Sequence, residues 1–170
     1  MPTSLAALNL SDRTAFVSAL GHLFEHSPWV AEETYAKRPF RDVESLRAAL
    51  CATMMGATAD RQLALLRAHP DLAGRLAQAG ALTESSAREQ SAAGLDRLSA
   101  AEMAEIEGLN QAYKDRFGFP FIICARLNAK EAILASMRKR VGNTADAEHS
   151  TALGEVAKIA RLRLNEAIQS

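Results

Sequence analysis

Neither sign of charge is in surplus: Lys plus Arg and Asp plus Glu both number 20. That balance argues against a nucleic-acid or anionic-membrane partner, which would call for a basic face. Cysteine is sparse, with only Cys51 and Cys124, both in apolar surroundings and without CxxC spacing. They read as reduced, packed thiols of a cytoplasmic protein. The chain shows no basic-then-apolar leader and no long apolar run, so neither secretion nor a membrane span is expected. Its final Ile168-Gln169-Ser170 is not a peroxisomal signal. Alternating strand pairs, hairpin turns and internal repeats are also missing.

What is present is a chain of 170 residues and 18.3 kDa, 48% hydrophobic and 24% charged. That suits one soluble globular domain over 1–170 with a real apolar core. Apolar spacing predicts an all-α, multi-helix bundle. Ser11 reads as the N-cap of a helix carrying Phe16, Val17, Leu20, Leu23 and Phe24, ending near Ser27-Pro28. Ser27 and Pro28 read as the start of a short helix through Trp29 and Tyr35, closed by Pro39. Further helices are expected over 44–55, with Leu46, Ala49, Leu50 and Met54 inward, and over 60–68, with Leu63, Leu65 and Leu66. Leu72, Leu76 and Ala79 mark a short helix ended by Gly80. A long one spans 99–117, with Met103, Ile106, Leu109, Tyr113 and Phe117 stepping by three or four, and two more run over 128–141 and 145–168, parted by Gly142-Asn143. Arg138-Lys139-Arg140 at a helix end complements the helix dipole on this reading.

Phe119-Pro120-Phe121-Ile122-Ile123-Cys124 interrupts the pattern. Proline with β-branched and aromatic residues favours extended backbone, and no partner strand is in sight. Its amides and carbonyls therefore need other partners, either a polar ligand or side chains of a buried connector.

Four places carry groups capable of chemistry. His69 precedes Pro70, and proline pushes the residue before it out of the helix while itself suiting the first position of a new one. A histidine pinned at such a corner titrates near neutrality and can move a proton, or it can simply cap the preceding helix. Ser86-Ala87-Arg88-Glu89 fits a capping box; alternatively the helix start, with amides of residues 87 to 90 and the Glu89 carboxylate, is a polar binding site. Arg163 has Val156 and Ile159 on its flank, so its guanidinium either snorkels past the core or holds a carboxylate in a pocket. His22-Leu23-Phe24-Glu25-His26 matches the HxxEH zinc-peptidase pattern, but Pro28 follows at once and no third ligand stands out, so no metal is expected.

Six stretches together carry a family resemblance: Glu25-His26-Ser27-Pro28-Trp29, Arg38-Pro39-Phe40, His69-Pro70-Asp71-Leu72-Ala73, Ser86-Ala87-Arg88-Glu89-Gln90, Phe117-Gly118-Phe119-Pro120-Phe121-Ile122 and Lys158-Ile159-Ala160-Arg161-Leu162-Arg163-Leu164. In order and spacing the chain resembles the 2-oxo-4-hydroxy-4-carboxy-5-ureidoimidazoline (OHCU) decarboxylases. The resemblance implies a cofactor-independent carboxy-lyase of urate breakdown that forms (S)-allantoin and carbon dioxide from a small ureide. It implies catalytic roles for His69, Glu89 and Arg163. Substrate contacts are implied for Pro70, for Ser86, Ala87, Arg88, Glu89 and Gln90, and for Phe121, Ile122, Ile123, Cys124 and Ala125. A homodimer and functional coupling to hydroxyisourate hydrolase and urate oxidase are partner arrangements the sequence leaves open. The rival readings are a helical interaction module without catalysis and the zinc peptidase.

Overall fold

Short polar side chains set most helix starts in this chain. In the computed structural model, which describes residues 2–169, Ser4, Asp12, Asp42, Thr58, Thr83 and Ser99 each accept a hydrogen bond from the backbone amide three residues on. Each thereby satisfies one of the donors that a helix N-terminus leaves over. The helices are α1 (Leu5–Leu10), α2 (Arg13–Leu20), α3 (Trp29–Thr34), α4 (Val43–Met55), α5 (Ala59–Arg67), α6 (Arg75–Gln78), α7 (Glu84–Ala92), α8 (Ala100–Phe117), α9 (Lys130–Arg140) and α10 (Ala145–Ala167). The all-α expectation is met, with one addition: β1 (Thr3–Ser4) and β2 (Ile168–Gln169) form a two-residue parallel ladder. Among the described residues no helix is long and apolar enough to cross a membrane.

Contacts divide the chain into two compact units. The first runs up to Ala68 and resumes at Ala157; the second is His69–Val156. In the first unit α2, α3 and α4 pack on one another around Phe16, Leu20, Val30, Leu46, Leu50 and Met54, all buried. Several sequence expectations are corrected here. Ser11 does not cap α2: it ends α1, donating through N–H and hydroxyl to the Leu8 carbonyl, and Asp12 is the cap. Helix α2 gives way to a 3-10 turn, Gly21–Leu23, well before Ser27. The Ser27 hydroxyl donates to the Glu25 carbonyl at 3.0 Å rather than capping α3.

The second unit is built on α8, whose Ser99 and Glu102 form a reciprocal capping box and whose end at Gly118 takes the left-handed conformation, φ 77°. Its own Ile106 and Tyr113 are buried, as are Phe119, Phe121, Ile133 and Met137. A buried polar network runs through this core. Glu148, fully buried, accepts from Tyr113 Oη at 2.6 Å, from Arg140 Nε at 2.8 Å and, through its other oxygen, from Asn143 at 3.1 Å. Arg140 also donates to the Ile122 carbonyl at 2.8 Å and lies 4.3 Å from the Phe121 ring centroid. Arg140 therefore stands in the last turn of its helix, as the dipole reading has it, and is also a core residue bound into this network. Burial pushes the Tyr113 hydroxyl well above its ordinary pKa, and the hydrogen bond to Glu148 adds to the shift.

Candidate functional site

Helix α5 stops at Arg67, Ala68 closes it, and His69 and Pro70 leave the helical region as the proline rule requires. Pro70 does not open a new helix, however. Residues 71 to 73 form a turn in which Ala73 takes φ 50°, and α6 begins only after Gly74. A side chain at 74 is ruled out, because a Cβ there would lie 2.6 Å from the Asp71 Cβ. The one-turn α6 leaves Leu76 half exposed, not on an inward face. His69 and Pro70 are themselves half-buried.

The turn beyond His69 is fastened to its surroundings. Gln90 Oε1 accepts the Ala73 N–H at 2.9 Å, Asn110 Nδ2 donates to the Leu72 carbonyl at 2.9 Å, and Lys114 Nζ meets Asp71 at 2.7 Å. Helix α7 thus holds the corner through Gln90. On that helix Ser86, Glu89 and Gln90 are buried, whereas Ala87 and Arg88 face outward. The predicted capping box at Ser86 is corrected: the cap is Thr83, and Ser86 donates its amide to the Thr83 hydroxyl from inside the helix. The helix start lies one turn earlier than expected, and the Ala87 amide already donates to the Thr83 carbonyl at 2.9 Å.

Residues 120 to 124 are buried and lie outside any helix or strand, without a strand partner among the described residues, and Cys124 has extended backbone. Main-chain partners come from protein groups: the Ile122 carbonyl from Arg140, and the Cys124 carbonyl from Leu127 N–H and Asn128 Nδ2. The segment ends in the 3-10 turn Ala125–Leu127, which packs against α7. The second unit therefore brings the His69 turn and the end of the extended segment to the same helix. A cavity of about 350 Å³ beside α7 is lined by Ala73, Ala77, Ala87, Gln90, Leu95 and Met103 among others, and takes in neither His69 nor Glu89.

Arg163 belongs to the first unit. It is 3% exposed, so it does not snorkel; its NH1 donates to Glu25 Oε2 at 3.0 Å and to the His22 carbonyl at 3.2 Å. Arg161, by contrast, is exposed as expected. This pairing removes the basis of the zinc-peptidase motif. Helix α2 has ended before His22, His26 sits at φ 46°, and the carboxylate of Glu25 is committed to a cation. Two histidines on successive turns of one helix, as that motif needs, do not exist here.

Asn110 and Lys114 are polar groups that sequence reasoning does not single out, and Glu25 and Asp71 enter it only within motifs, without the partners found here. For Asn110 a signal is present: it lies four residues after Ile106 and three before Tyr113, a carboxamide on the apolar face of a long helix. For the pairing of Glu25 there is no such signal, because its partner lies 138 residues away.

The architecture is that of a helical protein with a half-buried histidine at a helix-ending corner, tied to a helix that buries a glutamate and a glutamine. Residues 9–165 match the OHCU decarboxylase family model, and the chain belongs to that family. It is 42% identical over 167 residues to the 2-oxo-4-hydroxy-4-carboxy-5-ureidoimidazoline decarboxylase of Haloferax volcanii, covering 98% of this chain and 97% of that protein. Among solved structures it resembles an (S)-allantoin synthase, with a TM-score of 0.79 and 32% identity, over 99% of this chain and 55% of that one. It is also 37% identical to the uric acid degradation bifunctional protein PucL of Bacillus subtilis, of which it spans 32%.

Proposed function

We propose that this chain removes the carboxyl group of OHCU to give (S)-allantoin and carbon dioxide. The observation that carries the reading is the Ala73–Gln90 hydrogen bond, which fastens the stretch just past His69 to the helix bearing Glu89. That geometry sits in a chain whose relatives, matched along nearly their full length, are named for this decarboxylation.

The substrate brings its own electron sink. The carboxylate leaves a ring carbon that also bears a hydroxyl and adjoins a C=N bond, so the pair from the broken C–C bond flows into that bond and the nitrogen takes a proton. The resulting enol then loses its hydroxyl proton while the neighbouring carbon gains one. His69 moves that proton, and delivery to one ring face yields a single enantiomer. Glu89, buried on α7, fixes the hydroxyl or ureido group. Arg163, already oriented by Glu25, supplies a cation for the substrate carboxylate. The segments 86 to 90 and 121 to 125 and Pro70 contribute the remaining contacts. Positioning supplies much of the rate beyond proton transfer.

The measurement that tests this is circular dichroism of a urate breakdown mixture containing freshly formed OHCU. The protein is expected to bring on one hand of allantoin rapidly, and His69→Asn to lose that acceleration while keeping its helical spectrum. A His69→Asn protein of full activity overturns the assignment. Coupling to the preceding urate-oxidising and hydrolytic steps belongs to the same proposal, supported by the bifunctional name of the Bacillus relative. Co-purification of the separate enzymes checks it.

A further inference from the structure

Four side chains grip three consecutive residues directly behind the His69-Pro70 corner. Lys114 pairs with Asp71, Asn110 donates to the Leu72 carbonyl, Gln90 accepts the Ala73 N–H, and Gln78 Nε2 donates to the Ala73 carbonyl at 3.2 Å. Two of these contacts fall on opposite ends of one peptide group, that joining Leu72 to Ala73, and they come from different helices, α8 and α7. A single peptide plane clamped at both its oxygen and its nitrogen cannot rotate without breaking a buried hydrogen bond. The residue that follows the clamp is strained: Ala73 holds φ 50°, a conformation that non-glycine residues keep only where their surroundings over-determine it.

Asn110 is the most telling of the four. It is 5% exposed, and its Oδ1 has no hydrogen-bond partner among the described residues. A buried acceptor without a partner destabilises the fold, so packing alone favours an apolar residue here, as at Ile106 one turn earlier. What the asparagine contributes is its Nδ2, and that atom goes to the Leu72 carbonyl.

We propose that Asn110, with Lys114 on the next turn of α8, is a positioning residue for His69: it locks the turn at residues 71 to 73 and so sets where the imidazole stands. The inference rests on the reading of His69 as the proton-transfer group. It reaches beyond that reading by assigning a role in the reaction to a helix that carries none of the expected site residues.

The test compares Asn110→Ser, Lys114→Met and His69→Gln in the full chain, with initial rates of chiral allantoin formation and NMR of the imidazole rings. Displacing a reacting group by an ångström costs up to about 100-fold. Asn110→Ser is expected to lower kcat by about 10- to 100-fold with KM nearly unchanged, and to shift the His69 ring signals while those of His22, His26 and His149 stay in place. Lys114 is partly exposed, so Lys114→Met folds more readily than the core variant; a smaller fall in kcat with the same pattern is expected. If Asn110→Ser does not fold, Lys114→Met decides alone. Wild-type kcat in folded Asn110→Ser or Lys114→Met, beside an inactive His69→Gln, overturns this inference and leaves the decarboxylase reading standing. A fully active His69→Gln overturns both.

Discussion

Each unit contains a histidine just before a proline and a buried arginine–glutamate pair, and the two sets are used differently. In the first unit His26, two residues before Pro28, is exposed at φ 46°, and α3 begins immediately beyond the proline. In the second, His69 is half-buried, and the chain beyond Pro70 makes a turn held by side chains from α6, α7 and α8 before any helix resumes. Similar residues therefore make a surface corner in one place and a fastened one in the other. What separates them is the anchoring of the following residues and not the histidine itself. The sharpest way to break this contrast is to replace each ring in turn. General acid–base help is worth roughly 10²–10⁴-fold. His69→Gln is expected to lose activity on that scale and His26→Gln to lose almost none, read from initial rates of allantoin formation. Comparable losses from both would mean that anchoring does not mark the reactive corner.

The two ion pairs differ in a related way. Arg140 and Glu148 are enclosed in a network with Tyr113 and Asn143 that grips the Ile122 carbonyl, so their work is to hold extended main chain in place. Arg163 and Glu25 join a long helix to a turn 138 residues away, and the cation is the one assigned to the substrate carboxylate. Removing one partner of a buried pair strands the other charge and costs about 3–5 kcal/mol. Glu25→Ala is expected to lower unfolding free energy by that much in a denaturant titration, and Glu25→Gln by less because it keeps an acceptor. If Glu25→Gln retains the fold but raises KM, the pair orients Arg163 for the substrate; an unchanged KM confines it to stability. A smaller effect tests the helix that meets both the His69 turn and the extended segment. Thr83→Ala removes the cap of α7 and is expected to cost about 1 kcal/mol, whereas Ser86→Ala leaves the helix start intact.

Much of this was legible from spacing alone. Helices α4, α5, α8 and α9 follow their apolar periods to within two residues, and Gly118 ends α8 where glycine is expected to. The departure of His69 from helix and the non-helical run ending at Cys124 likewise follow from proline and side-chain shape. Helix α1 escaped because it buries only Leu8 and leaves Leu10 in solvent, giving no amphipathic period to detect. The start of α7 was misplaced because Thr83 and Ser86 are both competent caps one turn apart, and local sequence does not rank them. The burial of Arg140 leaves no mark in its basic run because its partners, Glu148 and the Ile122 carbonyl, are supplied by tertiary packing. The same cause keeps the partners of Glu25 and Asn110 out of reach of local sequence. Periodicity reports what faces the core; it does not report which distant polar atom waits there.

The smallest effect concerns the network of the second unit and turns on the sign of one pKa shift. Burial, with the Glu148 hydrogen bond behind it, raises the Tyr113 hydroxyl above the usual tyrosine value of 10.0. Below pH 10 both folded and unfolded chains keep that proton, and the contribution is fully present. As pH climbs past 10 the unfolded chain releases it while the folded chain retains it. The unfolded state then binds fewer protons, and stability declines with pH. A single such group accounts for a loss of about 0.8 kcal/mol at pH 10.5. Tyr113→Phe removes the term: it is expected to be less stable at neutral pH, having lost the bond to Glu148, yet to show a shallower decline between pH 10 and 11 in paired urea titrations. The two proteins differ at this one side chain, so the difference in slope belongs to Tyr113. Equal slopes would mean that the hydroxyl ionises as freely in the folded core as in the unfolded chain, so that neither its burial nor its bond to Glu148 holds the proton.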